Sequence, residues 1–131
     1  MNKKEQLLDV LTEKTTCENP EIVWAICPNS AASAYVPNPE KIVRVVGSTY
    51  KGTRFLFVEI KCLSYSLDED ICETVGSCVL VEKSDRLVMT IYPKEIADSI
   101  YEKFSNAIVA NVENDFLNDF LRDETDIEQS N

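Results

Sequence analysis

Apolar residues recur at every fourth position near the C-terminal end of the chain. The series consists of Ile96, Ile100, Phe104, Ile108, Val112, Phe116 and Phe120. Each step of four advances about 40° around a helix of 3.6 residues per turn, so the whole series winds by about 240°. One straight helix on one flat core does not bury a stripe that winds so far. We therefore predict a long C-terminal helix that begins at Pro93 and has a break or bend near Asn111.

Two segments between residues 41 and 92 alternate in the manner of antiparallel hairpins. The first turns through the glycine-containing stretch 47–53, and the second turns tightly at 83–85. Alternation in the first hairpin places Leu56, Val58, Ile60 and Cys62 on the core face. A short β-branched run between two prolines adds one more buried strand. The predicted strands are 21–27, 41–46, 54–63, 77–83 and 86–92.

The remaining segments complete an α+β fold. Residues 3–16 are amphipathic and predict an N-terminal helix, and the acidic stretch 64–76 predicts one or two helical turns capped by Ser66. The predicted architecture is an N-terminal helix, an antiparallel sheet of about five strands built from two hairpins plus one strand, and a long bent C-terminal helix packed on the sheet. We expect one globular domain over 1–122 and an acidic flexible tail over 123–131.

Charge is distributed unevenly along the chain. The net charge is −10; residues 113–128 contribute −6, and residues 68–73 contribute −4. Residues 41–61 carry a net charge of +4, so the protein is bipolar. Global repulsion disfavours direct binding to nucleic acid, and we expect none.

Histidine is absent, which excludes Ser-His-Asp and Cys-His catalysis and any histidine-ligated metal site. The five cysteines are odd in number and contain no Cys-x-x-Cys pair, which disfavours a disulfide framework. No signal peptide or membrane span is expected from the sequence, so we predict a soluble protein of the reducing cytoplasm. We expect no catalytic residues, no metal and no cofactor.

The strongest candidate for a binding site is the helical segment 112–122. Its apolar side chains are flanked by acids; the residues are Phe116, Leu117, Phe120, Leu121, Asp115 and Asp119. Either this face packs on the protein's own sheet, or it binds a groove on a partner protein or forms a homodimer.

Three further features have both a structural and a functional interpretation. A basic patch of Lys41, Arg44, Lys51 and Arg54 either keeps a hairpin soluble or docks an acidic partner, including this protein's own tail. The acids Asp68, Glu69, Asp70 and Glu73 form either a solvated turn or a site for a hard cation. Cys17 and Cys72 are expected to be exposed, and Trp24 is expected in the core.

Element order alone resembles two known groups. One is the small acidic dimeric chaperones of type III secretion, which are similar in length and charge and end in a helix. The other is the pleckstrin-homology-like domains, which the run Arg86–Phe104 resembles as a last strand followed by a closing helix. No functional residues are carried over from either group.

These observations favour a non-enzymatic binding or regulatory protein that acts on another protein or on a second copy of itself. Alternatives are an acidic inhibitor of a host defence or nucleic-acid enzyme encoded by a phage or plasmid, a secretion-type chaperone or pleckstrin-homology-like adaptor, and an enzyme of unrecognised type using carboxylates or a cysteine.

Overall fold

The computed structural model describes residues 1–65 and 71–129. It contains the predicted α+β fold: an N-terminal helix, a five-stranded antiparallel sheet and a long C-terminal helix. Its elements are α1 Lys3–Thr16, β1 Ala25–Cys27, β2 Ile42–Tyr50, β3 Thr53–Tyr65, β4 Ile71–Lys83, β5 Arg86–Ile91 and α2 Asp98–Gln129. Ser66 and the acids Asp68, Glu69 and Asp70 lie outside the described residues, so the predictions made for them stay predictions.

Two compact units make up the chain. The helical unit combines Met1–Trp24 with α2, and the sheet unit spans Ala25–Ala97. Within the helical unit, α1 has the predicted bounds and begins with a capping box. The Asn2 side chain accepts a hydrogen bond from the Glu5 N–H at 2.8 Å, and the Glu5 carboxylate accepts one from the Asn2 N–H at 2.8 Å.

The segment before β1 belongs to the helical unit and not to the sheet. The prediction of a strand from residue 21 is therefore wrong for residues 21–24, and β1 contains only Ala25–Cys27. The N–H groups of Glu21 and Ile22 donate to the carbonyl oxygen of Lys14, at 3.0 and 3.3 Å. These backbone groups are already paired locally, which leaves no ladder for a longer strand.

The C-terminal helix differs from its prediction at both ends and in the middle. Residues Pro93–Glu95 form a separate 3₁₀ turn, and α2 begins at Asp98 instead of Pro93. No break occurs near Asn111, since α2 runs without interruption to Gln129. Residues 123–129, predicted as a flexible tail, are assigned to the helix, and their flexibility stays a prediction.

The sheet has the strand order β1-β2-β3-β4-β5, with every neighbouring pair antiparallel. The turn between β2 and β3 uses Lys51 and Gly52, both with positive φ, and the turn between β4 and β5 uses Ser84 and Asp85 in the same region. Tight hairpins require this backbone conformation. Gly47, predicted in a turn, lies inside β2, where an added Cβ would come within 2.9 Å of a cysteine sulfur.

Residues 71–76 are strand, so the predicted helical turn does not extend over them. β4 begins at Ile71 and pairs in register with β3 from the first residue, Ile71 opposite Tyr65. In the middle of the sheet both faces are buried. The side chains of one face pack against the loop that follows β1. The side chains of the opposite face are buried as well; the large ones are Val46, Phe55, Phe57, Val79 and Val81. Cys62, predicted in the core, is exposed because β3 there extends past the end of β2.

Candidate functional site

The apolar side chains predicted as a binding site lie on the far half of α2, the part that follows Val112. Phe120 follows Phe104 by four steps of four residues, so it lies about 160° further around the helix axis. Phe104 is buried and its ring meets the Trp24 ring edge-on, with the ring centroids 5.9 Å apart. The two halves of α2 therefore present their apolar side chains on nearly opposite sides.

We call the apolar side chains of the far half the distal face; they are Phe116, Leu117, Phe120 and Leu121. Their exposed fractions are 66, 49, 54 and 57% respectively. The Phe116 and Phe120 rings stack on each other, with centroids 6.1 Å apart and 24° between the ring planes. The distal face is thus a small aromatic and aliphatic surface turned towards solvent.

Carboxylates frame the distal face, but not all are the predicted ones. Asp119 borders it and forms an ion pair with Arg122 at 3.7 Å. Asp115 lies about 100° or more around the helix from each of the four apolar residues, so α2 does not bring it onto the same face.

Two glutamates define the ends of the distal face. Glu113 precedes Phe116 and Leu117 by three and four residues, and Glu124 follows Leu121 and Phe120 by three and four. Residues at these spacings are neighbours on a helix surface. Both glutamates are exposed. Their spacing relative to the apolar residues is visible in the sequence and was the signal that could have identified them.

Asn111 holds the near half of α2 to the rest of the helical unit. Its side-chain oxygen accepts a hydrogen bond from the backbone N–H of Trp24 at 2.7 Å. The indole N–H of the same tryptophan donates to the Thr15 hydroxyl at 3.0 Å. Trp24 has no exposed surface, which confirms its predicted place in the core. The last partly buried positions of α2 among the described side chains are Asn111 and Val112, so the distal face begins directly after this anchor.

An open groove of about 650 Å³ lies beside this anchor, within the helical unit. Its lining combines the end of α1 and the following loop with residues of α2, including Cys17, Asn114, Asp115 and Asn118. Cys17 is exposed, as predicted, and its thiol donates to the Asn19 carbonyl oxygen at 3.3 Å. The groove thus offers mostly amide and carboxylate groups for hydrogen bonding.

The four residues of the predicted basic patch are not brought together. Lys41 and Lys51 lie at opposite ends of β2, which spans about 30 Å at the usual rise per residue. Arg44 forms an ion pair with Glu59 at 2.5 Å, and Arg54 lies 3.6 Å from Glu82. The charges of the two arginines are therefore compensated within the sheet unit.

Glu82 is a buried carboxylate of the sheet unit. It accepts a short hydrogen bond from the Tyr35 hydroxyl in addition to its contact with Arg54. The bond to Glu82 and the partial burial of the ring raise the pKa of Tyr35 above its ordinary value. A carboxylate held by a phenol and a guanidinium stabilises the loop against the sheet, and sequence reasoning did not find this cluster, since its members are distant in the chain.

The paired ends of β3 and β4 form a second exposed apolar surface. Beyond Ile60, β3 has no register partner in β2 and pairs only with β4. Leu63, Ile71 and Val75 on this two-stranded ribbon are each more than half exposed. Cys72 is exposed, as predicted, and burial raises the pKa of the Cys78 thiol in the core. Within the described part of the chain, the apolar side chains of this ribbon are held by the pairing of β3 with β4 alone, without a third strand beside β3.

The comparisons with known proteins return nothing. No protein-family model matches the chain, and neither curated proteins nor solved structures give a match. Within residues 1–65 and 71–129, no helix is long and apolar enough to cross a membrane. Over the same residues, no three Cys, Asp or Glu side chains gather where they could hold a metal ion.

Proposed function

We propose that this protein is a non-enzymatic binding protein that regulates a protein partner by docking the distal face of α2 on it. The observation that carries the proposal is the exposure of Phe116, Leu117, Phe120 and Leu121 on one side of a helix that is anchored by its other side. Apolar anchors at positions i, i+1, i+4 and i+5 of a helix suit a hydrophobic groove on a partner.

The geometry supports a partner and not the protein's own core. The far half of α2 continues the same helix as the packed half, so the winding of the apolar stripe carries the distal face away from Phe104 and Trp24. Contiguous exposed apolar surface marks interaction sites on soluble proteins, and aromatic residues are enriched among the side chains that dominate binding energy.

Affinity capture from a lysate of the source organism, with nuclease treatment, tests this proposal. Full-chain protein should retain a stoichiometric protein partner, and Phe120→Glu or Leu117→Glu should abolish its retention. Val88→Glu is the matched control, because Val88 is 59% exposed on β5 and the substitution adds the same charge elsewhere. Retention of the same partner by all three variants would refute the assignment of the distal face.

A second candidate function is inhibition of a nucleic-acid or defence enzyme by charge. The observation that favours it is the cluster of exposed carboxylates on residues 113–124, whose net charge is −4. Such an inhibitor would lose affinity steeply between low and physiological salt and would tolerate Phe120→Ser. Loss of binding on Phe120→Ser with little dependence on salt would exclude this mode.

A further inference from the structure

The side chains around the distal face indicate what kind of surface can cover it. Glu113 and Glu124 lie at its two ends, and Asp119 and Asp123 lie along one side. All four side chains are exposed, and among the described residues only Asp119 forms an ion pair, with Arg122. The opposite side carries the uncharged amides of Asn114 and Asn118. The apolar surface is therefore bordered by negative charge on three sides and by neutral groups on the fourth.

A second copy of this helix is a poor occupant. In an antiparallel pairing of two distal faces, Glu113 of one copy would lie opposite Glu124 of the other. In a parallel pairing, each glutamate would lie opposite its own counterpart. Like charges placed across an interface suppress that pairing, so the carboxylate frame disfavours a homodimer through this face.

We infer that the occupant is a hydrophobic groove on another protein that carries lysine or arginine at both ends and along one rim. This inference rests on the proposed function and adds the chemistry of the partner. The apolar side chains enter the groove, while Glu113 and Glu124 fix the position of α2 along it, each facing a basic side chain. The asymmetry of the frame, with acids on one side only, sets the direction in which α2 lies in the groove.

Two synthetic amphipathic helices with the same leucine face provide defined probes. In one the leucine face is bordered by lysines, and in the other by glutamates. Each is titrated into isotope-labelled full-chain protein and followed by NMR, with affinities measured by calorimetry at low and physiological salt. The lysine-bordered helix should shift the signals of residues 113–124 and bind at least about tenfold more tightly than the glutamate-bordered one, with the difference reduced by salt.

Charge reversal on the protein provides the matched comparison. Glu113→Lys with Glu124→Lys should invert the preference between the two probes. The double variant Asp9→Lys with Glu13→Lys alters the net charge by the same amount, at exposed positions of α1. It should leave the preference for the lysine-bordered probe unchanged. If the reversal on α1 acts as strongly as the reversal on α2, only the net charge matters, and the inference is overturned.

The remaining outcomes separate this inference from the proposed function. If both probes shift residues 113–124 equally, the distal face docks apolar surfaces without regard to charge; the proposed function then survives and the inferred partner chemistry fails. If neither probe shifts these residues, both fail. Sedimentation of the unmodified protein should show a monomer, and a dimer that Phe120→Ser dissociates would overturn the inference in favour of a second copy.

Discussion

Replacing Asn111 with alanine should destabilise the helical unit, because the Trp24 N–H would lose its acceptor. The hydrogen bond is 2.7 Å long, and Trp24 is fully buried, whereas Asn111 is partly buried at the edge of the open groove. Leaving a buried donor unsatisfied costs about 1–3 kcal/mol. Alanine recovers about 0.5 kcal/mol through its higher helix propensity. The net loss of unfolding free energy should therefore be about 0.5–2.5 kcal/mol, and the middle of that range lowers the Tm by roughly 5 °C for a chain of this size.

Urea denaturation followed by fluorescence measures this loss directly, since Trp24 is the only tryptophan in the chain. Asn114→Ala is the matched control: the same substitution on the same helix, at an exposed asparagine. It should leave stability unchanged or raise it by about 0.5 kcal/mol. Equal unfolding free energies for Asn111→Ala and Asn114→Ala would refute the anchoring role that we assign to Asn111.

Three further predictions concern stability. Phe120→Ser should change the unfolding free energy by less than about 0.5 kcal/mol, whereas Phe104→Ala should lower it by about 3–5 kcal/mol; similar losses in urea denaturation would contradict the exposure of the distal face. Tyr35→Phe should lower the unfolding free energy, and this loss should be constant below the ordinary tyrosine pKa of 10.0. The loss should shrink as pH rises through the raised pKa of Tyr35, because ionisation removes the proton that Tyr35 donates to Glu82. If the loss is the same at alkaline pH, the bond between Tyr35 and Glu82 is contradicted. Gly47→Ala should lower the unfolding free energy by about 1–3 kcal/mol, because the new Cβ would come within 2.9 Å of the Cys27 sulfur and 3.0 Å of a methyl group of the buried Leu56; an unchanged free energy would contradict this close packing.

The sequence showed that the apolar stripe winds around the C-terminal helix. It did not show that the helix would continue without a break and expose the far part of the stripe. The period of four correctly implies that one core cannot cover every member from Ile96 to Phe120. A break in the helix was one solution, and an uninterrupted helix with an exposed end is the other. No proline or glycine interrupts α2. The local sequence therefore contains no residue that would end the helix. Its far half is exposed because, among the described residues, no other element of the fold extends far enough to cover it.

Asn111 illustrates a limit of local reasoning. Asparagine is a good N-cap residue, and acids follow it, so the sequence suggested the start of a second helix. In the structure its side chain accepts a hydrogen bond from Trp24, 87 positions away in the chain. A contact of that separation overrides the local preference, and no spacing rule reveals it.

The basic patch failed to assemble for a different reason. Lys41, Arg44, Lys51 and Arg54 are close in sequence, but an extended strand separates its ends by about 3.3 Å per residue. Strand pairing then places each arginine near a carboxylate of another strand. Turn positions, by contrast, were predictable at Ser84 and Asp85, because a short connection between two β-branched runs permits few backbone conformations.

The most direct test of the central claim is the affinity of the purified captured partner for wild-type protein and for Phe120→Ser, measured by calorimetry on samples of equal stability. If the distal face is the docking surface, loss of a central aromatic anchor should cost about 2 kcal/mol, so the Kd should rise about thirtyfold. An unchanged Kd would show that the partner binds elsewhere and would contradict the account of α2 as the binding element.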